Sequence, residues 1–240
     1  MKAIAVDTGG TFTDMVVLDQ DSGELTVLKL PSTPSDPGQA IIDGISEIFD
    51  GGIPPSDVLS LSHGTTVGTN ALLTGKGAHV GLFVTEGFGG INDVWHLAPS
   101  EDTSKVTSPY VEKKPPVLPR FRREAKERVN FKGEVVKKLD EEAVIEAVRS
   151  LGKRGVESIA VVLLFSFLNP KHEKRIEEII KQELPDTVVS LSSSVLPQMR
   201  EFPRLSTTVA NAYIAPMMVT YLEALERRIR EHKVTSDALY

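Results

Sequence analysis

The sequence contains no cysteine. That excludes disulfide frameworks, thiolate nucleophiles, iron–sulfur clusters and cysteine-based zinc sites within this chain. An excess of positive charge is also lacking, since 27 Lys and Arg against 33 Asp and Glu leave a net charge of −6. A binder that holds nucleic acid through a broadly basic surface is therefore disfavoured, and no nucleic-acid partner is expected. Long hydrophobic runs are missing. The longest apolar stretch, residues 159–168, is broken by Ser166 and reaches about half a membrane span. An uninterrupted run of only four apolar residues precedes Asp7, too few for the apolar centre of a secretory signal. No membrane partner is expected, and a cytoplasmic setting is the default.

Several common chemical motifs are absent as well. Gly75-Lys76 is followed by Gly77 rather than Ser or Thr, and Asn70 stands where a P-loop needs its first glycine. No Gly-x-Gly-x-x-Gly follows the first apolar run, and no Gly-x-Ser-x-Gly elbow occurs. His172-Glu173 is followed by Ile176 where a zinc-protease helix needs its second histidine.

What remains is a chain of 240 residues, 40% of them hydrophobic, enough for a sizeable core in one to two domains. Residues 3–6, 13–18 and 25–30 read as three short strands joined by turn-rich links, an antiparallel meander. Ser35 or Asp36 is placed to cap a helix with Pro37 in its first turn, running to about Phe49. Strands are expected at 58–62 and 79–85, with a short helix at 69–74 between them. Residues 86–119 are irregular and hold the single tryptophan, Trp95; loops of this length in compact domains are usually functional or mobile. The charged stretch 120–136 suggests edge strands. Asp140 caps a helix with Val144, Val148 and Leu151 on one face. The near-continuous apolar run 159–165 suits a strand covered on both faces. A helix from Asn169-Pro170, a strand at 188–191 and a long helix at 207–230 complete the pattern. Three strands followed by alternating helix and strand imply an α/β fold with a mixed sheet.

Two segments carry chemistry. In the first, Asp7-Thr8-Gly9-Gly10-Thr11-Phe12-Thr13-Asp14 links two strands. The glycines allow backbone N–H groups to converge on an anion, and Thr8, Thr11 and Thr13 add hydroxyl donors. Asp7 ends a strand, where it can hold Mg2+ directly or through water, since that ion favours one or two carboxylates with phosphate oxygens. A plain Gly-Gly hairpin with solvated threonines accounts for the same glycine spacing. The second segment runs from Ser62 through His63, Thr65, Thr66 and Asn70 into a helix, offering donors at a helix N-terminus. His63 can act as acid or base near neutral pH. A capped strand-to-helix turn with a buried, hydrogen-bonded His63 is the alternative.

The first segment resembles the phosphate loop of the actin, Hsp70 and sugar-kinase superfamily. With residues 62–73, 77–88, 155–172 and 191–216 in the same order, the chain resembles the N-terminal part of the hydantoinase A/oxoprolinase family. The resemblance implies a first lobe of the actin/Hsp70/sugar-kinase (ribonuclease H-like) type over residues 1–205, with an irregular insertion. Residues 206–240 would form a helix leading into a second lobe absent from this chain. It implies ATP and Mg2+ as cofactors and a hydrolase that opens cyclic amides, such as hydantoins or 5-oxoproline, by phosphorylating the carbonyl oxygen. The alternatives are a subunit of an ATP-dependent ketone carboxylase, and a non-catalytic assembly module that docks through Val209, Ala212, Tyr213, Met217, Leu222 and Leu225.

By the same resemblance Asp7 and His63 are the catalytic candidates, and Thr8, Gly9, Gly10, Thr11, Thr13 and Asp14 cradle the nucleotide. Thr65, Thr66, Asn70, Arg204, Ser206, Thr207 and Asn211 would line the substrate cleft. The implied partners are a cyclic amide or ketone, the second lobe and a hydantoinase B-type subunit. With one side of the cleft only, the chain alone is expected to bind nucleotide weakly or not at all. Two positions depart from the family pattern. Gly89-Gly90 and Ile91 to His96 stand where an Arg-Asp pair and a Gly-Arg-Gln stretch are common, and Asn130 replaces an acidic residue. The first departure removes a guanidinium from a substrate loop.

Overall fold

The computed structural model describes residues 1–33, 36–91 and 117–234. Ser35, Trp95 and His96 lie outside the described residues. The chain divides into two compact units, Met1–Lys76 with Met217–Tyr240, and Gly77–Pro216.

In the first unit, β1 (Lys2–Thr8), β2 (Phe12–Asp19) and β3 (Leu25–Pro31) form the expected antiparallel meander, and β4 (Val58–Thr65) runs parallel to β1 in the order β3-β2-β1-β4. Alternation decides the faces. Ile4, Val6, Met15, Val17 and Leu61 turn inward onto helix α1 (Gln39–Asp50), which contributes Ile41, Ile42, Ile45 and Ile48. Leu225 and Ile229 complete this core.

The α1 cap differs from the sequence expectation. Gly38 occupies the N-cap position without a side-chain hydrogen bond, while Asp36 pairs with Arg228 at 2.8 Å. An ion pair is open to a carboxylate three residues before the helix, and it fixes the chain entering α1.

In the second unit, β10 (Val188–Leu191), β9 (Ser158–Val162), β5 (Val80–Thr85) and β6 (Arg122–Ala125) form an all-parallel sheet in that order. The expected α/β fold with a mixed sheet is met in the first unit, and the second unit adds a parallel four-stranded sheet. Helices α3 (Glu141–Gly152) and α4 (Lys171–Glu183) cover one face through Val144, Val148, Leu151, Ile176, Ile179 and Ile180. The first half of α6 (Glu201–Glu231) covers the other through Leu205, Val209 and Ala212. Coverage on both faces explains why β5 and β9 are buried at every position. Of the charged stretch, β6 forms the sheet edge, while β7 (Arg128–Val129) and β8 (Val135–Lys137) pair only with each other.

Local signals explain the joints. Asp140 caps α3 by accepting from the Ala143 amide at 3.0 Å, as its position before the apolar stripe predicts. Asn130 accepts from the Lys132 and Glu134 amides at 2.9 and 3.0 Å. An Asp could do that too, but the Asn amide also donates to the Glu134 carboxylate at 2.8 Å. Glu173 is fully buried and accepts from the Leu163 amide at 3.0 Å, the Ser193 amide at 2.9 Å and the Ser192 hydroxyl at 2.6 Å. It ties the turn after β9 to α5 (Ser192–Val195), a short helix not anticipated from sequence. The neighbouring His172 bonds the buried Glu127 at 2.7 Å, and Glu127 also receives the Thr85 hydroxyl.

α6 begins before the expected position 207 and runs through Pro216, so the expected boundary at 205/206 falls inside a continuous helix. Its residues to Pro216 belong to the second unit and those from Met217 to the first. Among the described residues, no helix is long and apolar enough to cross a membrane.

Candidate functional site

A cleft of about 510 Å³ opens in the first unit at the carboxyl ends of β1 and β4. One wall is the β1–β2 hairpin, with Thr8, Gly9 and Gly10, extended by Ser32 and Thr33 after β3. The opposite wall is the start of α2 (Val67–Thr74), with Thr66, Val67, Asn70 and Ala71. Thr74 and Lys76 lie at its far end, and Met217 and Tyr221 of α6 complete it.

The two glycines divide their duties. The Gly9 amide donates to the Phe12 carbonyl at 3.0 Å and closes the hairpin, and a Cβ there would stand 3.2 Å from that oxygen. The expectation that both amides serve an anion is therefore corrected to one. The Gly10 amide has no partner among the described residues, and its Cβ position lies 3.9 Å from the Asn70 side-chain nitrogen. Asn70 is held there by its bond to the Thr66 hydroxyl at 3.3 Å. Lys76 is exposed and forms no ion pair among the described residues. One free amide, one carboxamide and one ammonium thus border the cleft, a donor set that suits phosphate oxygens.

Strand alternation separates the remaining candidates. Asp7 pairs across the hairpin with Asp14 and, on the other side, with Gly64. Asp7 and Gly64 are exposed and Asp14 is partly so, on the sheet face away from α1. Asp14 binds Lys29 at 2.8 Å, whereas the Asp7 carboxylate has no partner among the described residues. A Cβ at position 64 would lie 3.5 Å from Asp7 Oδ1, so glycine there leaves the carboxylate open. Thr8, Thr13, His63 and Thr65 point the other way. Thr13 bonds Ser32 at 2.9 Å, and Ser32 in turn donates to the Gly9 carbonyl at 2.9 Å, so Thr13 braces the loop from beneath. Thr11 is exposed at the hairpin tip and its carbonyl accepts from the Ser32 amide at 2.9 Å. The Thr8 hydroxyl is buried in the cleft wall without a partner. The structure therefore does not bring the Asp7 and His63 side chains onto one face.

His63 is half-buried, and its Nε2 lies 2.7 Å from the Tyr221 hydroxyl. Burial pushes the imidazole below its ordinary range, opposed by the Val6 carbonyl and the Asp7 charge. Burial pushes the Tyr221 phenol up, and the Thr65 hydroxyl bonded to it works against that shift. Tyr221 was missed in the sequence, although Met217, Tyr221, Leu225 and Ile229 repeat every four residues and so mark one helix face.

Thr66 lines the cleft, and the adjacent Thr65 hydroxyl accepts from the Val67 amide at 3.2 Å. The other expected cleft residues are elsewhere. Arg204, Ser206, Thr207 and Asn211 belong to the second unit. Arg204 is only 1% exposed and donates to the Leu163 carbonyl at 2.6 Å, with the Phe167 ring 5.3 Å away. Burial lowers its guanidinium affinity for protons. Ser206 bonds its own helix at the Phe202 carbonyl, Asn211 bonds Ser190, and Thr207 is exposed. A buried arginine bound to a backbone carbonyl is a core fastener, not a group waiting for substrate. Likewise, of the six α6 residues considered for docking, only Leu222 is exposed, at 47%.

The chain is 35% identical over 237 residues to the caprolactamase subunit alpha of Pseudomonas jessenii, covering 95% of this chain and 33% of that one. It is 34% identical over 248 residues to the acetophenone carboxylase gamma subunit of Aromatoleum aromaticum, covering 96% and 33%. Its fold is similar to the crystal structure of the ATP-dependent caprolactamase from Pseudomonas jessenii, with a TM-score of 0.81 over 96% of this chain, 34% of that chain and 34% identity. The chain thus spans about a third of the length of these relatives. Residues 3–184 match the model of the hydantoinase/oxoprolinase N-terminal region, and the chain belongs to that family.

Proposed function

We propose that this chain is the N-terminal part of an ATP-dependent hydrolase that opens a cyclic amide through phosphorylation of its carbonyl oxygen. The observation that carries this reading is the unpartnered Gly10 amide bordering an open cleft with Asn70 and Lys76. The β3-β2-β1-β4 sheet with its strand–loop–strand hairpin supports a first lobe of the actin, Hsp70 and sugar-kinase type.

The residues fit the two cofactors. Gly10, Asn70 and Lys76 would bind phosphate oxygens, and the Thr8 and Thr11 hydroxyls would orient them. Asp7 would hold Mg2+, with Asp14 across the hairpin as a second carboxylate when Lys29 releases it. When bound, Mg-ATP supplies the phosphoryl group that turns a poor electrophile into one with a good leaving group. The cleft's Val67, Ala71 and Met217 offer an apolar surface to the substrate ring, and closure around it would exclude water. A second lobe and a hydantoinase B-type subunit are the proposed partners, in keeping with relatives named as subunits, and a cytoplasmic setting suits ATP as co-substrate.

A second reading has its own support: likeness to an acetophenone carboxylase subunit favours a ketone-phosphorylating carboxylase. ATP turnover by the full-length protein, assayed against lactams, hydantoins, 5-oxoproline and ketones with bicarbonate, separates the two. Stimulation by cyclic amides supports hydrolysis, and stimulation only by ketones replaces it with carboxylation. Asp7→Ala should abolish ATP turnover in either case; retention of turnover would contradict the proposed metal ligand.

A further inference from the structure

The proton inventory of the cleft is incomplete without a group to accept a proton. Amide opening needs a base to activate water, and carboxylation needs one to remove a proton beside the ketone carbonyl. The Asp7 side chain lies on the sheet face opposite His63, and none of the described residues lining the cleft carries a carboxylate or imidazole; the His63 imidazole is bonded to Tyr221, which does line it.

A hydroxyl and an imidazole meet there: the Tyr221 hydroxyl lies 2.7 Å from His63 Nε2. His63 Nδ1 is buried without a hydrogen-bond partner among the described residues. With the ring proton on Nδ1, Nε2 is the acceptor and the Tyr221 hydroxyl donates to it. The charged groups acting on the pair are Asp7 of β1, felt by His63, and Asp36 before α1, felt by Tyr221. The Asp7 charge favours a proton on the imidazole, though burial outweighs it and holds His63 below its ordinary range, so the imidazolium is a transient proton store.

We propose that Tyr221 and His63 form the proton-transfer pair of this cleft, with Tyr221 meeting the reacting molecule and His63 holding the proton. The proposal rests on the amide-opening reading above. A water O–H bond breaks as its oxygen bonds the activated carbonyl carbon, and that proton passes to Tyr221 Oη. The phenol's own proton moves to His63 Nε2, giving an imidazolium. The same path returns the proton to the ring nitrogen as the C–N bond breaks, leaving an acyl phosphate whose C–O or P–O bond a second water then cleaves to give carboxylate and inorganic phosphate. For a ketone, the first proton comes from the α-carbon instead. His63 acts through Tyr221 and is a positioning and storage group.

The test has two arms. Nitrogen-15 NMR of the 240-residue chain reads the His63 tautomer directly; the Nδ1–H form is expected, and the Nε2–H form overturns the proposal. In the full-length enzyme, Tyr221→Phe should lower kcat by roughly 10²–10⁴-fold with KM and Mg-ATP affinity unchanged. His63→Gln should match it and remove the acid limb of the pH profile, and the double variant should lose no more than either alone. Thermal melts of both variants establish that they fold. Should Tyr221→Phe unfold, the acid limb of His63→Gln decides instead: its loss supports the pair and its persistence overturns it. Additive losses, or a Tyr221→Phe enzyme with kcat near wild type, sink this proposal alone. A wild-type enzyme that turns over neither amides nor ketones with ATP sinks the functional reading, and this proposal with it.

Discussion

Glu173 offers the sharpest test of how the second unit is held together. Its carboxylate is fully buried and takes two backbone amides and one hydroxyl. In Glu173→Ala the Ser192 hydroxyl can still turn to Ser166, 3.0 Å away, but the Leu163 and Ser193 amides lose their acceptor. A stranded buried donor costs about 1–3 kcal/mol, so two cost about 2–6 kcal/mol. That is a large share of the roughly 5–15 kcal/mol by which domains are stable. Glu173→Gln keeps one acceptor oxygen, best aimed at Leu163 and Ser192, and turns its NH2 against the Ser193 amide. One donor is then stranded, at about 1–3 kcal/mol. Urea unfolding followed by far-ultraviolet circular dichroism measures both. The reasoning fails if Ala costs under about 1 kcal/mol, or if Gln is as damaging as Ala.

Three further outcomes follow from local geometry. Gly77→Ala should destabilise by about 1–3 kcal/mol in a thermal melt, because its Cβ would fall 2.1–2.3 Å from the body of the Tyr213 ring. Asp140→Ala should cost about 1 kcal/mol through loss of the α3 cap, and Asp140→Asn much less, as urea midpoints would register. Because burial holds His63 below the usual histidine value, the unfolded chain binds more protons just below pH 6.5. The stability of the first unit should therefore be full above that pH and fall as pH drops through the window. Melts between pH 5 and 7.5 should show a shallower slope for His63→Gln than for wild type.

The meander and the parallel strands were legible because burial imposes its period on the residues. Ile4, Val6, Met15 and Val17 alternate, and Val80 to Thr85 are apolar or small throughout because both faces are covered. Asp140 was legible because a cap acts within three residues. Pairings distant in sequence left no such mark. β4 extends through His63 and Thr65 because β1 offers Val6 and Thr8 as partners. Whether β5 joins β4 or β9 is decided by packing, not by its own residues. α6 starts before position 207, at Glu201, with Pro203 in its first turn, where a proline is tolerated. Arg204 was placed in the cleft by the family resemblance, yet it is buried and donates to the Leu163 carbonyl. Tyr221 meets His63 across 158 residues, a contact visible only once both elements are folded.

The central claim is that the hairpin and α2 bind the phosphates of Mg-ATP through the one free glycine amide. A titration of the nitrogen-15-labelled chain with Mg-ATP, read by amide shifts, addresses it most directly. Weak saturation, on the order of millimolar, is predicted. The largest shifts should fall at Gly10, Thr11, Asn70 and Lys76, and Asp7→Ala should diminish them. A stationary Gly10 amide, or shifts centred in the second unit, would contradict the account.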